Sequence, residues 1–450
     1  MTQYDPVFYS RMLTELTLAF HIIFATIGVG VPVMIALAEW RGIRTGDPHY
    51  TLLARRWTRG FVITVAVGVV TGTAIGLQLS LLWPSFMRIA GQAIALPLFL
   101  ETFAFFVEAI FLGIYLYTWD RFKKKTTHLL LMIPIVIGSS ASAFFITTLN
   151  AFMNTPRGFT LEDGVIKNLQ PLAAMFNPAT PTKVSHVLAS SYTTSAYILA
   201  AIAAYKLLKG SDHAYYKKAL KLTVTAAFVF SLATAAIGDL SGKFLAKYQP
   251  EKLAAAEWHF ETEREAPLVL GGVLGQNNEI KYGISIPYGL SILAHGTPDG
   301  EVIGLNEFPE DERPPLYIHY LFNLKVAFGM YLALVGFLYL LRSRKHRGRE
   351  LVPKWLLAAI VAAGPLAMIT IELGWFFAEV GRQPWILRGY MKVADAATTS
   401  SHVDTMLLLF CLLYLVLGVT VVRVLSKLFR NYDVIQEMIS LGIEKGGRRS

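Results

Sequence analysis

The chain has 450 residues, 54% of them hydrophobic and only 16% charged, with a mean hydropathy of +0.47. Water-soluble proteins carry about 25% charged residues, so the composition excludes an ordinary soluble domain and points to an all-α protein that crosses a membrane many times. The formal charge of +10 does not mark a nucleic-acid binder, because the basic residues fall in short connections between apolar runs; the single cysteine, Cys411, excludes an internal disulfide and a Cys-x-x-Cys-His haem attachment.

Apolar runs of about 20 residues are long enough to span a bilayer. Nine occur, at 12–39, 59–83, 95–119, 127–153, 182–208, 217–244, 316–341, 353–381 and 400–427. The first is too long, and lacks the small-residue cleavage site, to be a cleaved signal peptide. Basic clusters fall on alternate connections: Arg41/Arg44/Arg55/Arg56/Arg59, Arg121/Lys123/Lys124/Lys125, Lys206/Lys209/Lys217/Lys218, Arg342/Arg344/Lys345/Arg347/Arg349 and Arg423/Lys427/Arg430. The positive-inside rule then puts the N-terminus outside and the C-terminus inside. Four parts follow: six spans in 1–244, an outer segment at 245–315, three spans in 316–427 and a cytoplasmic tail at 428–450. The outer segment is too long for an ordinary connection, and its apolar stretches LVLGGVL and ISIPYGLSILA predict that it is folded. The tail reads as helix after Asn431, then as a disordered Gly/Arg-rich piece.

Ionisable residues inside apolar runs are costly and mark function or tight pairing. His21, His186 and Glu379 lie on the first, fifth and eighth spans, all in the outer half of the bilayer at a rise of about 1.5 Å per residue. Glu379 must be paired, protonated or metal-bound, and a Glu379–Arg382 pair closing a helix end is the simplest of these. Each residue alone reads as a satisfied polar group. Three at one depth fit cofactors, and haem iron commonly takes His as axial ligand. On the third span Glu101 and Glu108 share a helix face about 10.5 Å apart. They read either as a proton relay bridged by Ser139, Ser140 or Ser142, or as protonated carboxyls bonded to neighbouring helices. Glu372 and Glu379 repeat that spacing. In the outer segment Gln249-Pro250 stops a helix, and Lys252 and Glu257 follow on an Ala-rich turn. They fit either a quinone head group or an amphipathic surface helix.

Four motifs sharpen these readings: GRQPW at Gly381–Trp385, QPEKLAAAE at Gln249–Glu257, GDLSGK at Gly238–Lys243 and ETFAFFVEAIFLG at Glu101–Gly113. With them the chain resembles, over essentially its whole length, subunit I of the cytochrome bd-type quinol oxidases, in the branch with a short outer loop. The resemblance implies a bacterial cytoplasmic-membrane oxidase that takes electrons from quinol and reduces dioxygen to water. It implies two haem b and one haem d, or a third haem b in its place, with a second membrane subunit and a small single-span subunit as partners. By the same resemblance His186 is an axial ligand of the low-spin haem b, and His21 and Glu379 serve the other two haems. Lys252 and Glu257 contact quinol, Glu101 and Glu108 deliver protons, and Arg382 and Trp385 pack around haem propionates.

One departure matters. The family's low-spin haem takes a methionine from a motif like F-x-x-M-V on the seventh span. Here LFNLKVAFGM places Lys325 at that position and Asn323 where some members carry arginine. Met330, about 7.5 Å deeper and turned by about 140°, cannot substitute. Lys325 ligates iron as a neutral amine, or snorkels from a five-coordinate iron, or the haem is altered. An amine or a vacancy lowers the potential relative to Met ligation. A haem-bearing sensor or electron carrier without oxygen reduction and an ion-coupled transporter are the alternatives; the unrepeated spans argue against the latter.

Overall fold

The computed structural model describes residues 4–162, 164–345 and 352–443. Arg347 and Arg349 of the fourth basic cluster, and the Gly/Arg-rich end at 444–450, lie outside them. The first four crossings are α1 (Pro6–Thr45), α2 (Pro48–Leu82), α3 (Pro84–Tyr117) and the pair α4 (Lys125–Leu130) and α5 (Met132–Asn154). A hairpin of β1 (Thr160–Glu162) and β2 (Val165–Lys167) and a short α6 (Pro171–Met175) lead to α7 (Thr180–Leu208) and α8 (Ala214–Tyr248). The helices α11 (Ile318–Lys345), α12 (Lys354–Val380) and α14 (Val403–Asn431) complete the bundle. Among the described residues nine helices are long and apolar enough to cross a membrane, as the apolar runs predict.

The helices overrun the runs that announce them. The second starts at Pro48 rather than near 59, because Asp47 accepts a hydrogen bond from His49 N at 3.1 Å and Pro48 fills the first helical position. Gly46, at φ 65°, supplies the left-handed residue that ends α1 one step earlier. Helices in lipid associate through close packing and small residues. A Cβ on Gly30 would overlap the Ser191 carbonyl and the Ser195 side chain, so glycine is what lets α1 lie on α7. A Cβ on Gly138 would sit 2.8 Å from the Ala104 carbonyl oxygen and 2.9 Å from Glu108 N, which places α5 directly on the carboxylate-bearing stretch of α3. Large apolar side chains on α3 (Phe99, Phe103, Phe106) and α14 (Leu408, Leu412, Leu415) face outward.

One end of the bundle carries the long segment between α8 and α11 and is called the loop face here. The segment holds α9 (Pro250–Glu257), a ribbon of β3 (Leu268–Leu270) with β6 (Ile284–Ile286), a second of β4 (Val273–Leu274) with β5 (Ile280–Lys281), and α10 (Gly289–His295). Leu253, Ala255, Leu290 and Leu305 of this segment are buried against Ile318, Phe377 and Val380 of the bundle, so it is folded, as its apolar stretches predict. A further hairpin, β7 (Trp385–Leu387) with β8 (Met391–Lys392), and a turn of helix α13 (Val393–Ala396) follow α12. The opposite end, the tail face, receives α15 (Val434–Ser440), the helix expected after Asn431. Glu437 there binds Arg56 at 2.6 Å and Arg59 at 2.7 Å, while Val434 and Met438 are buried. Burial works against ionisation of Glu437, but the hydrogen bonds from the two guanidiniums hold its carboxyl below the usual range.

Candidate functional site

Pro250 cannot continue α8, so Gln249 ends that helix and heads α9, which turns Lys252 and Glu257 into the bundle. Lys252 is 3% exposed, donates to the Ala378 carbonyl at 3.1 Å and lies 4.8 Å from the centre of the Phe377 ring. Lys325 approaches the same ring, with Nζ 3.7 Å from its centre and 4.6 Å from that of Phe322. Glu257 is 1% exposed and, among the described residues, neither carboxyl oxygen has a hydrogen-bond partner. Burial pushes Glu257 up to about 8 against the nearby Lys325 charge. Burial also brings Lys252 down to about 7, with Glu379 opposing and Arg382 adding to the fall. A buried acid and a buried amine that both titrate near neutrality can exchange protons with a bound polar molecule. The amphipathic surface-helix reading of α9 is thereby corrected, because both charged groups point inward. Met330 faces away from the bundle, largely exposed, and does not replace Lys325.

Glu379 ends α12 in a chain of hydrogen bonds. Asn150 of α5 donates to its Oε1, Arg382 donates to its Oε2 at 2.6 Å, and Lys183 of α7 donates to Asn150 Oδ1 at 2.7 Å. The helix-closing Glu–Arg pair is therefore present. Each carboxylate oxygen keeps a further lone pair, so the pair does not preclude a metal ligand. Arg382 Nε donates to the Trp385 carbonyl at 3.2 Å, and its buried Nη1 has no partner among the described residues. Arg388, just beyond, grips Glu251 at 2.6 and 2.8 Å and ties this loop to α9. On α1, His21 Nδ1 lies 2.8 Å from Thr71 Oγ1, and Gly72 leaves room beside the ring, where a Cβ would come within 3.1 Å of Cε1. His186 of α7, beside Gly238, has a buried Nδ1 without a partner among the described residues.

On α3, Ser142 donates to Glu101 Oε1 at 2.8 Å, whereas Glu108 is buried with Oε1 unpartnered. Only Ser142 of the three serines reaches a carboxylate. Ser140 pairs with Tyr192 at 2.8 Å and Ser139 donates to the Val136 carbonyl at 3.2 Å.

The sequence reading passed over several groups. Glu15 lines a small cavity of about 10 Å³ with Glu372 and Glu379. Glu39 accepts from Tyr115 Oη at 2.7 Å and lies 2.7 Å from His128 Nδ1, all three buried near the tail face. That cluster borders a cavity of about 210 Å³ that also touches Leu441 and Ile443 of the tail. Glu39 and His128 stand at the very ends of apolar runs, which is the signal that could have found them.

The donor set suits haem. His21 has its Nδ1 held by the Thr71 hydroxyl, the kind of outer hydrogen bond that fixes the ring of an axial ligand. His186 Nδ1 and Arg382 Nη1 are orphaned buried polar atoms of the kinds that ligate iron and meet propionates. Residues 9–433 match the family model described as cytochrome bd terminal oxidase subunit I. A Bacillus subtilis (strain 168) protein named putative cytochrome bd menaquinol oxidase subunit I is 43% identical over 439 residues, covering 96% of this chain and 99% of that one. Another from the same organism, cytochrome bd ubiquinol oxidase subunit 1, is 31% identical and covers 92% and 91%. The solved bd oxidase from Geobacillus thermodenitrificans superposes with a TM-score of 0.92 at 66% identity, over 96% of this chain and all of that one. With nine spans among the described residues and a folded segment after the sixth, the chain belongs to the cytochrome bd terminal oxidase subunit I family.

Proposed function

We propose that this subunit oxidises membrane quinol at the loop face and uses the electrons to reduce dioxygen to water, with three haems held by His186, by His21 and by Glu379. The observation that carries the proposal is the inward-facing pair Lys252 and Glu257. A buried carboxyl without a partner asks for a hydroxyl ligand, and a quinol head group supplies one at each end of its ring. Glu257, once ionised, takes a proton from one quinol hydroxyl, and Lys252 holds the oxygen of the other. The relatives are named for menaquinol and for ubiquinol, and this chemistry is common to both. The haems, when bound, supply one-electron transfer and an open iron position for oxygen. Lys325 would stand where the family's low-spin haem takes its second ligand, and Arg382 and Trp385 would steady the propionates.

In this proposal the loop face is the outside of a bacterial cytoplasmic membrane and the tail face the cytoplasm, as the basic connections suggest. The division into 1–244, 245–315, 316–427 and 428–450 follows the same reading. Protons for water formation rise from the tail face through Glu108 and then Glu101, which Ser142 orients. Each charge moved across the field stores about 2.3 kcal/mol per 100 mV. A second membrane subunit, and a small single-span one, complete the enzyme. The test is a pyridine haemochrome spectrum of the purified complex, followed by oxygen uptake with reduced quinone. Haem with quinol-dependent uptake is expected. A colourless complex with no extractable porphyrin overturns the haem assignment, and haem without uptake overturns the oxidase.

A further inference from the structure

The bend between β3 and β4 is hung on the head of α11. Asn323 accepts from Gly271 N at 3.1 Å, Tyr320 donates to the Gly272 carbonyl at 3.1 Å, and His319 Nε2 lies 3.0 Å from the Gly271 oxygen. His319 and Asn323 are one turn apart, so the bend follows one face of the helix. Seven residues make two turns to within about 20°, which puts Met330 on that same face about 10.5 Å deeper than Asn323. Leu334, Phe337 and Leu341 continue the line, and all four are large apolar side chains left exposed on a membrane-crossing helix. Lys325, turned by about 140° from Met330, points instead into the bundle at Phe377. The ribbon therefore overhangs the outward face of α11.

Near the bend the ribbon is apolar. Leu270 pairs with Ile284 and Leu268 with Ile286, and residues two apart on a strand share a face. Leu270, Ile284 and Ile286 thus form one apolar face, and all three are exposed. Across the bend from Gly272 stands Gly283, close enough that a Cβ on Gly272 would meet its Cα at 3.1 Å. Tyr282, next to it, is 91% exposed and holds a left-handed backbone at φ 59°, where glycine would be unstrained. Tyr317 and Tyr320, at the head of α11, are exposed beside the same bend. Towards its other end the ribbon turns polar, with Lys281 and Glu279 paired at 3.3 Å.

The chemistry of this surface selects its occupant. Helices that meet other helices in lipid do so through small residues, whereas the line on α11 reads Val326, Met330, Leu334, Phe337 and Leu341. Those side chains suit acyl chains better than a protein neighbour. Tyrosine, with an apolar ring and a polar tip, collects at the depth of the lipid head groups, and three tyrosines stand just above that line. A ribbon of two strands is marginally stable with water on both faces. One that is apolar where it joins the lipid-facing side of a span, and charged further out, matches the boundary between hydrocarbon and water.

We infer that the ribbon is a lipid-docking element: the face made by Leu270, Ile284 and Ile286, with Tyr282 at its edge, rests in the head-group layer beside α11. The occupant is bilayer lipid, continuous with the lipid along the Met330 line of the same helix. The contact fixes the depth of the loop-face segment, which is joined to the bundle on its other side by the buried residues around Leu253 and Leu290. It does not depend on where quinol binds.

The test is made on the purified complex in phosphatidylcholine nanodiscs. With the native cysteine removed as Cys411→Ser, a nitroxide is attached in turn at Tyr282→Cys, Ile284→Cys, Met330→Cys and Glu301→Cys, and the signal of the Cys411→Ser parent is subtracted. Met330 is the lipid reference, and Glu301, an exposed carboxylate of the same segment, is the water reference. The readout is collision of the nitroxide with oxygen, which concentrates in lipid, against collision with a nickel chelate confined to water. At Tyr282 and Ile284 the oxygen-to-nickel ratio should exceed that at Glu301 several-fold and approach that at Met330. A ratio like that of Glu301 overturns the inference, because the ribbon then stands in water. Protection from both reagents overturns it too, because another protein then covers the face. In the unaltered protein, a phosphatidylcholine with a diazirine near the top of one acyl chain should tag residues 282–286 and leave 298–301 untagged. Absence of tags at 282–286 refutes the docking without recourse to any variant.

Discussion

The pH dependence of quinol oxidation follows from Glu257 and its one named counter-charge. The carboxyl is 1% exposed with both oxygens unpartnered, and burial lifts it to about 8 although Lys325 pulls the other way. A group that accepts a quinol proton works only when ionised, and about one molecule in ten is ionised a unit below the midpoint. Turnover at sub-saturating quinol should therefore climb about tenfold per pH unit on the acid side and level off above about 8. Glu257→Gln cannot ionise, so it should lose the limb altogether and run slower by about a hundredfold or more. Lys325→Met removes the opposing cation and should move the limb to higher pH by about one unit or more. The measurement is oxygen uptake by the purified complex with a soluble short-chain quinol, corrected for autoxidation. An artificial reductant that bypasses quinol serves as control. A Glu257→Gln enzyme that keeps the same acid limb would refute the argument, because the proton would then be leaving quinol by another group.

Lys325→Met should also shift the low-spin haem's visible spectrum and raise its midpoint potential, since Met ligation raises potential relative to an amine or a vacancy; no change in either makes Lys325 a bystander. Glu108→Gln keeps the shape of a buried side chain but cannot carry a proton. It should slow oxygen reduction about a hundredfold or more with the quinol KM unchanged, read from proton uptake after flash-initiated oxygen reaction, and normal uptake removes Glu108 from the route. Glu437→Gln leaves the buried Arg56 without its counter-ion and should cost about 3 kcal/mol, seen as a lower unfolding temperature. Because the folded carboxyl is depressed from 4.5, that contribution is present above about 4.5 and is lost as pH falls through the lower folded value.

The architecture was legible because lipid imposes a simple rule: a span must be long and apolar, and nine runs met it. The positions of the motif residues followed from the same runs. Contacts across helices did not. The spacing of Glu101 and Glu108 tells which face of α3 they share, yet only the packing shows that Ser142 bonds Glu101 while Ser140 turns to Tyr192. Likewise nothing in GRQPW announces that Asn150 and Lys183, from two other helices, complete the bonding around Glu379.

The misses share a cause. Counting apolar residues stops a span at its first charge, so Glu39 and His128 read as the polar ends of runs 12–39 and 127–153, where a charge would meet water. In the structure α1 continues to Thr45, the run at 127–153 is broken at Leu131, and both groups are buried. There they bond each other and Tyr115 instead of solvent. Glu15 is the same error at the other end. It falls in the first turn of a run counted from residue 12, but α1 begins at Pro6, and Glu15 is already in its third turn, facing Glu372 and Glu379. A span-ending charge in a protein of this kind is thus an ambiguous signal. A helix that caps itself with Asp-Pro beyond the apolar run, as α1 and α2 both do, is the sequence sign that the charge lies inside.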